Sequence, residues 1–168
     1  SGTASALNAS SINLFAGTGG IGSLAAPLTL TTSGLISAGS TNGGIWLSSP
    51  GSMRINAMNA ADDIVFNIDT DNSGVDILNI VADSTSSGGS VSYVGSGDDI
   101  LQSSDGGGSA WSLQGGLALN GNSASGFAFL QGDADTLSGT NAADVFSISS
   151  SNGGTAGTFT FAGMNNLN

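Results

Sequence analysis

The 168-residue chain lacks the side chains on which most enzymes and nucleic-acid-binding proteins depend. It has no His, Cys, Lys or Glu, and Arg54 is its only cation. Because the common general bases and activated nucleophiles are missing, the composition predicts a protein that is not an enzyme. The net charge of −11 leaves almost no Lys or Arg to displace phosphate counterions, so nucleic acid and anionic membrane surfaces are disfavoured as partners.

Two further absences bear on the setting of the protein. Without Cys the chain has no disulfides and no thiolate metal sites. This does not exclude secretion, because a secreted β-protein can be stabilised by stacked strands instead of by cross-links. No apolar run approaches the roughly 20 residues that span a bilayer, so we expect no membrane insertion. The chain begins without Met, and we expect it to be an excerpt or processed piece of a longer protein.

Acidic residues are present, but in one kind and one part of the chain. All twelve are Asp, and all follow residue 61. Asp bonds its own nearby backbone and favours turns, and 28 Gly residues accompany it. We therefore expect one segment over residues 1–168, with a shift near 57–61 from a neutral part to an acidic part.

Short alternating segments dominate the pattern and predict an all-β protein. Apolar residues alternate with small or polar ones, as in strands with one buried face, and no window has a helical stripe. An imperfect repeat, NAAD at 59–62 and 141–144, favours stacked units. These features predict a parallel β-helix, with a β-sandwich as the alternative. The expected strands lie at 11–14, 28–31, 45–47, 52–56, 64–68, 77–80, 90–93, 111–113, 117–120, 127–129, 145–148 and 159–161.

Several segments together resemble a known family. INLFAG at 12–17, GGIGS at 19–23, PLTL at 27–30, NGGIWLS at 42–48 and TFTFAGMNNLN at 158–168 are similar to repeats of large filamentous-haemagglutinin-like exoproteins. The resemblance implies a right-handed parallel β-helix from a secreted or surface-attached bacterial adhesin. It also implies Asp turns like those of calcium-binding repeat-in-toxin proteins, although tandem nonapeptides are missing here.

The Asp-rich turns are the candidate metal sites. Asp69, Asp71 and Ser73 alternate before Gly74, as in the opening of a calcium loop, so their oxygens can converge on one hard cation. Ile80 takes the position of the bidentate Glu, which excludes a complete EF-hand. The alternative is a turn capped by its own side chains. Further candidates for Ca²⁺ are the neighbouring pairs Asp98, Asp99 and Asp133, Asp135, whose alternative role is to keep the surface solvated.

We therefore expect a stalk or scaffold segment of an adhesin at the bacterial surface or in the extracellular matrix. Its partners would be extracellular surfaces or glycans. Two alternatives stay open. One is a self-assembling filament subunit that associates end to end through strands such as 159–161. The other is a β-helix polysaccharide lyase or hydrolase that uses Asp clusters or Arg54. Among the aromatic residues, Trp46 is expected on an outer face and Trp111 in the core.

Overall fold

The computed structural model describes residues 9–168, which form strands joined by turns and bends, with no helix among them. The first eight residues of the segment predicted over 1–168 lie outside the described residues. The prediction of an all-β protein is confirmed. The strands are β1 Ser11–Ala16, β2 Leu28–Thr29, β3 Leu35–Ser40, β4 Ile45–Ser48, β5 Met53–Ala60, β6 Ile64–Asn67, β7 Ile77–Ile80, β8 Thr85–Ser86, β9 Val91–Ser103, β10 Ala110–Ser112, β11 Ala118–Leu119, β12 Asn122–Ser138, β13 Phe146–Ser150, β14 Gly153–Ala156 and β15 Phe159–Leu167.

Most of the strand pairing is parallel and follows two rows. The first row runs β1-β3-β5-β7-β9-β12-β15, and every neighbouring pair in it is parallel. The second row runs β2-β4-β6-β9, again in parallel. From β1 to β7 the chain alternates between the rows, so the strands from β1 to β5 each pair with the strand two places later, as β7 does with β9. The exception is β6, which pairs with β9, while the short β8 pairs with β5. This pairing differs from the antiparallel sheets of a β-sandwich.

The registers place apolar residues of successive strands side by side. In the first row, Ile12, Ile36, Ile55 and Ile80 are consecutive partners, and all four are buried. In the second row, Leu28, Leu47, Phe66 and Tyr93 are consecutive partners, and the rings of Phe66 and Tyr93 stack with centroids 5.7 Å apart. Burial of such side chains is the main force that holds the strands together.

The C-terminal part departs from the parallel pattern. The strands β10 and β11 form an antiparallel pair, and β11 continues antiparallel to β12. The strands β13 and β14 form a second antiparallel hairpin, and β14 lies antiparallel on β15. The predicted strand at 159–161 is therefore paired on both sides, with β12 and with β14.

The two tryptophans differ as expected from their strand neighbours. Trp111 is fully buried, in agreement with its predicted place in the core. Trp46 lies half-buried, because its ring packs against the backbone of Gly20 and Gly44. A Cβ at Gly44 would lie 2.4 Å from that ring, so only Gly leaves room for it.

Candidate functional site

Three of the predicted metal residues meet in one place. Carboxylate oxygens of Asp69, Asp98 and Asp99 lie within 4.8 Å of one another. The register of β6 and β9 explains this, because Asn67 at the end of β6 pairs with Val94. The residues that follow this pair, Asp69 on one chain segment and 95–99 on the other, therefore lie next to each other. Asp98 is exposed, whereas the other two carboxylates are buried.

Asp99 is held by two backbone donors, one just before β7 and one within its own strand β9. Its Oδ1 accepts a hydrogen bond of 2.9 Å from the N–H of Asp76, and its Oδ2 accepts one of 2.7 Å from the N–H of Ser96. A Cβ at residue 95 would lie 2.7 Å from this Oδ2, so the lack of a side chain at Gly95 leaves room for the carboxylate. Because both bonds need an acceptor, Asp99 already has a structural role without any metal.

Asp69 is also held by donors of the protein. It adopts a left-handed backbone conformation, with a φ of 51°, and its Oδ1 accepts 2.8 Å from the N–H of Ser73. Its Oδ2 accepts a hydrogen bond from the hydroxyl of Ser96. The Ser96 hydroxyl lowers the pKa of Asp69 below its usual value, burial opposes this, and the Ser73 N–H adds to the lowering. Asp69 is therefore a stabilised anion.

The remaining residues of the predicted loop bond to one another. The Ser73 hydroxyl donates 2.8 Å to Oδ1 of Asp71, and both residues are exposed. Together with the Ser73 N–H on Asp69, these bonds form the self-capped turn that the sequence offered as the alternative. The metal role of Asp71 and Ser73 stays a prediction.

The second predicted pair, Asp133 and Asp135, divides into two environments. Asp133 is exposed, but Asp135 is 0% exposed. Oδ2 of Asp135 accepts 2.8 Å from the indole N–H of Trp111, and Oδ1 accepts 3.0 Å from the N–H of Ser109. The parallel register of β10 with β12 brings these groups together. Asp135 therefore joins two strands through the core, and neither Asp belongs to the three-carboxylate cluster.

Ser96 is the residue that the sequence interpretation missed. Its hydroxyl contacts all three carboxylates, at 3.1 Å from Asp98 and 3.2 Å from Asp99 as well as Asp69. A single Ser among many Ser residues carries no signal of this role. The only available clue was its place between Gly95 and Gly97, next to two Asp.

The cluster has the right atoms for a hard cation. Ca²⁺ takes six to eight oxygens at about 2.3–2.6 Å, and it accepts carboxylates together with waters. The oxygens of Asp69, Asp98 and Asp99 are close enough to share one ion, and each carboxylate keeps lone pairs beyond those that accept N–H groups. The three residues therefore fit part of a Ca²⁺ site, with the remaining ligands left to solvent.

Asp69 is poorly suited to act as the general acid of glycoside hydrolysis. That reaction needs a carboxylic acid whose pKa is raised, so that it can protonate the leaving oxygen. The pKa of Asp69 is instead lowered. Arg54, the other candidate, is exposed on β5 and lies in register with Leu35 and Asn79. No Asp is its partner in these two pairings.

No family model, no curated protein and no solved structure matches this chain. Its function must be inferred from the geometry of its own residues. Within residues 9–168, no helix has the length and hydropathy needed to span a membrane.

Proposed function

We propose that the chain is a right-handed parallel β-helix that serves as a stalk or scaffold of a large secreted or cell-surface bacterial adhesin. The observation that carries the proposal is the pair of parallel rows with matched apolar partners. Partners in the first row are separated by 24 positions at Ser11 and Leu35, by 19 at Leu35 and Arg54, and by 25 at Met53 and Leu78. Such recurring intervals are those of a chain that winds and stacks on itself.

A stacked chain of this kind is suited to a mechanical role. Neighbouring strands lie about 4.8 Å apart, so the seven strands of the first row extend over roughly 29 Å along the stacking direction. Backbone hydrogen bonds and buried apolar partners connect each strand to the next, so no strand carries load alone. Polar residues of the same strands, such as Asn13 and Ser11, lie on the exposed face and can bond to surfaces or glycans.

The chemistry of the site also favours a role without catalysis. The chain supplies no His, Cys, Lys or Glu, and the pKa of Asp69 is lowered, not raised. A carboxyl group that acts as a general acid needs a raised pKa, so Asp69 does not suit that role. Activity on pectin-like or alginate-like polymers would contradict the proposal and favour the lyase or hydrolase alternative.

The C-terminal hairpin bears on the filament alternative. End-to-end association through Phe159 and Phe161 would require a free strand edge. In the structure β14 already covers this stretch, through the pairs Gly154–Phe161 and Ala156–Phe159. This favours a stalk segment over a subunit that polymerises through these residues.

The proposal includes calcium as a stabiliser of the region where Asp69, Asp98 and Asp99 meet, which we call the Asp69 corner. We expect Ca²⁺ to be shared by Asp69, Asp98 and Asp99. Calorimetric titration with CaCl₂ tests this. Asp98→Asn, at an exposed residue, should weaken binding about tenfold, whereas Asp133→Asn should leave it unchanged. Absence of binding at millimolar CaCl₂ would leave these residues as hydrogen-bond acceptors of the turns.

Electron microscopy of the native full-length material, with and without a calcium chelator, tests the stalk role. Isolated thin rods that label with antibody on intact cells are the expected result. Long uniform polymers would instead favour the filament subunit. Absence of both surface label and secreted material would contradict an extracellular role. Rods that collapse only after chelation would indicate that calcium binds the Asp69 corner and stabilises the rod.

A further inference from the structure

A polar groove lies away from the Asp69 corner, on the side where β12 begins. It is bounded by the segment 83–91 and the turn 120–123, and it has a volume of about 530 Å³. The two walls meet because Ser123 pairs with Ser92 in the parallel register of β9 and β12. We call it the Asn120 groove. Its volume falls within the range of roughly 300–1,000 Å³ that is typical of small-molecule sites.

Asn120 fixes one wall of the groove. It adopts a left-handed conformation with a φ of 52°, and its Oδ1 accepts 2.7 Å from the N–H of Ala110. Its Nδ2 donates to Oδ1 and Oδ2 of Asp83, at 2.9 and 3.1 Å, and to the Ser109 hydroxyl at 2.9 Å. These bonds hold the exposed Asp83 carboxylate in one orientation at the groove, with lone pairs left to accept from a ligand.

Ser84 is a buried polar residue of the groove lining. It lines the groove, it is only 4% exposed, and its hydroxyl is buried with no hydrogen-bond partner among the described residues. A buried hydroxyl without a partner is destabilising, so native proteins normally provide one. A small shift of Ser84 that opened this hydroxyl to the groove would let it bond to a polar ligand or to water.

The chemistry of the walls selects the class of ligand. They present the hydroxyls of residues such as Ser90 and Ser123, amides such as that of Asn122, and one carboxylate. They contain no cation. Arg54, the only cation of the chain, does not line the groove, and the net charge is −11. Anionic sugars would therefore be repelled, whereas the hydroxyls of a neutral sugar match the available donors and acceptors.

We propose that the Asn120 groove binds a neutral glycan. This inference deepens the proposed adhesin role and rests on it, because it locates where such a scaffold would contact a carbohydrate surface. It requires none of the aromatic side chains, since Trp111 and Tyr93 are buried.

The test is NMR titration of the chain with neutral hexasaccharides of glucose, mannose and galactose, and with hexagalacturonate as the acidic probe. We expect a neutral probe to shift the amides of residues 83–91 and 120–123, and hexagalacturonate to shift none of them. Ser123→Trp should fill the groove and weaken binding at least about tenfold. Ser149→Trp, at an exposed position on β13, is the matched control and should change binding less than about twofold.

The inference is overturned if no neutral probe binds at 10 mM, a concentration at which about 10% occupancy would still be seen for a Kd near 100 mM. It is also overturned if binding persists in Ser123→Trp, or if hexagalacturonate binds equally well. The variants' amide spectra show separately whether the fold is intact. Rods at the cell surface without sugar binding would contradict the groove alone, whereas sugar binding without rods would contradict the stalk.

Discussion

The strands of the first row pair in parallel both before and after residue 90, but the two parts are held in different ways. Between Leu35 and Ile80 the parallel partners are 19 to 25 positions apart, and the strands are four to eight residues long. After residue 90, partners such as Leu130 and Phe161 are 31 positions apart, and β9 and β12 reach 13 and 17 residues. The longer intervals contain the two antiparallel hairpins. Pairing of apolar residues suffices to hold strands that are close in sequence. Strands that are farther apart in sequence need additional contacts to fix their pairing.

That additional fixation comes from glycines and buried carboxylates. Gly126 lies against Gly95, and Gly163 lies against Gly132, with backbone atoms so close that a Cβ on either would collide. Asp99 follows Gly95, Asp135 follows Gly132, and their carboxylates accept the N–H groups of Asp76 and Ser109, just before β7 and β10. No acidic residue precedes residue 62, so the strands from β1 to β5 cannot use such carboxylates of their own.

The largest effect is expected from Gly163→Ala, which attacks a glycine contact of the second part. The new Cβ would lie 2.0 Å from the carbonyl oxygen of Gly132, at a φ of 72°. We expect a loss of more than about 4 kcal/mol in the free energy of unfolding, or no folded product. Gly157→Ala is the control, because its φ is also positive but no atom lies within 4 Å. It should cost only about 1–2 kcal/mol in urea unfolding. Equal losses would show that backbone strain alone is responsible.

A core truncation tests the apolar partners of the first part. Phe66→Ala removes a fully buried ring that stacks on Tyr93, and it should cost about 4 kcal/mol. Val65→Ala, on the other face of the same strand, should cost less than about 1 kcal/mol. Both values can be measured by urea unfolding. A similar cost for the two variants would contradict the assignment of the buried face.

The buried carboxylate of the second part can be removed in Asp135→Ala. Two buried N–H groups, from Ser109 and Trp111, then lose their acceptor. At about 1–3 kcal/mol for each unsatisfied group, we expect a loss of about 3 kcal/mol. Asp133→Ala, at the exposed neighbour, should change stability by no more than about 0.5 kcal/mol. If Asp133 proved equally important, a shared role of the pair, such as metal binding, would replace the structural account.

The smallest effect is expected in alkaline solution and comes from Tyr93. Burial raises the pKa of Tyr93 to about 12, from an ordinary value of 10.0. The unfolded chain therefore loses this proton at lower pH than the folded chain. The stabilising contribution is complete below pH 10 and is lost as the pH rises towards 12. Thermal unfolding between pH 9 and 12 should show this loss in the wild type and a smaller one in Tyr93→Phe. An identical alkaline loss in both proteins would exclude Tyr93 as its source.

Much of the strand pattern could be predicted, because alternation of apolar and polar residues reports burial on one face. The predicted segments 45–47, 64–68 and 77–80 coincide with β4, β6 and β7 within one residue at either end. The prediction was less accurate in the second part. Asp98 and Asp99, which the sequence places in an Asp-rich turn, lie inside β9, and the predicted strand 127–129 is only one piece of β12. Glycines with positive φ bend these strands without ending them.

The candidate site could be predicted only in its residue types. Asp-rich turns identified Asp69, Asp98 and Asp99, but their meeting depends on the pairing of Asn67 with Val94. No local pattern specifies that register. Nor could the sequence distinguish Asp135, which accepts a bond from Trp111, from exposed Asp133 two positions earlier. Side-chain direction at a strand bend is set by contacts between distant residues.

The most direct test of the stacked parallel scaffold is disulfide formation between introduced cysteines, since the chain has no Cys of its own. Parallel partners lie about 4.8 Å apart, within the Cα separation of roughly 4.4–6.8 Å that a disulfide needs. The pairs Asn13→Cys with Ser37→Cys and Ser92→Cys with Ser123→Cys are in register. Asn13→Cys with Ala38→Cys is one position out of register and serves as the control. We predict that both in-register pairs oxidise fully with the fold retained, while the control stays reduced. Failure of both pairs, or equal oxidation of the control, would contradict the parallel register on which the proposed scaffold rests.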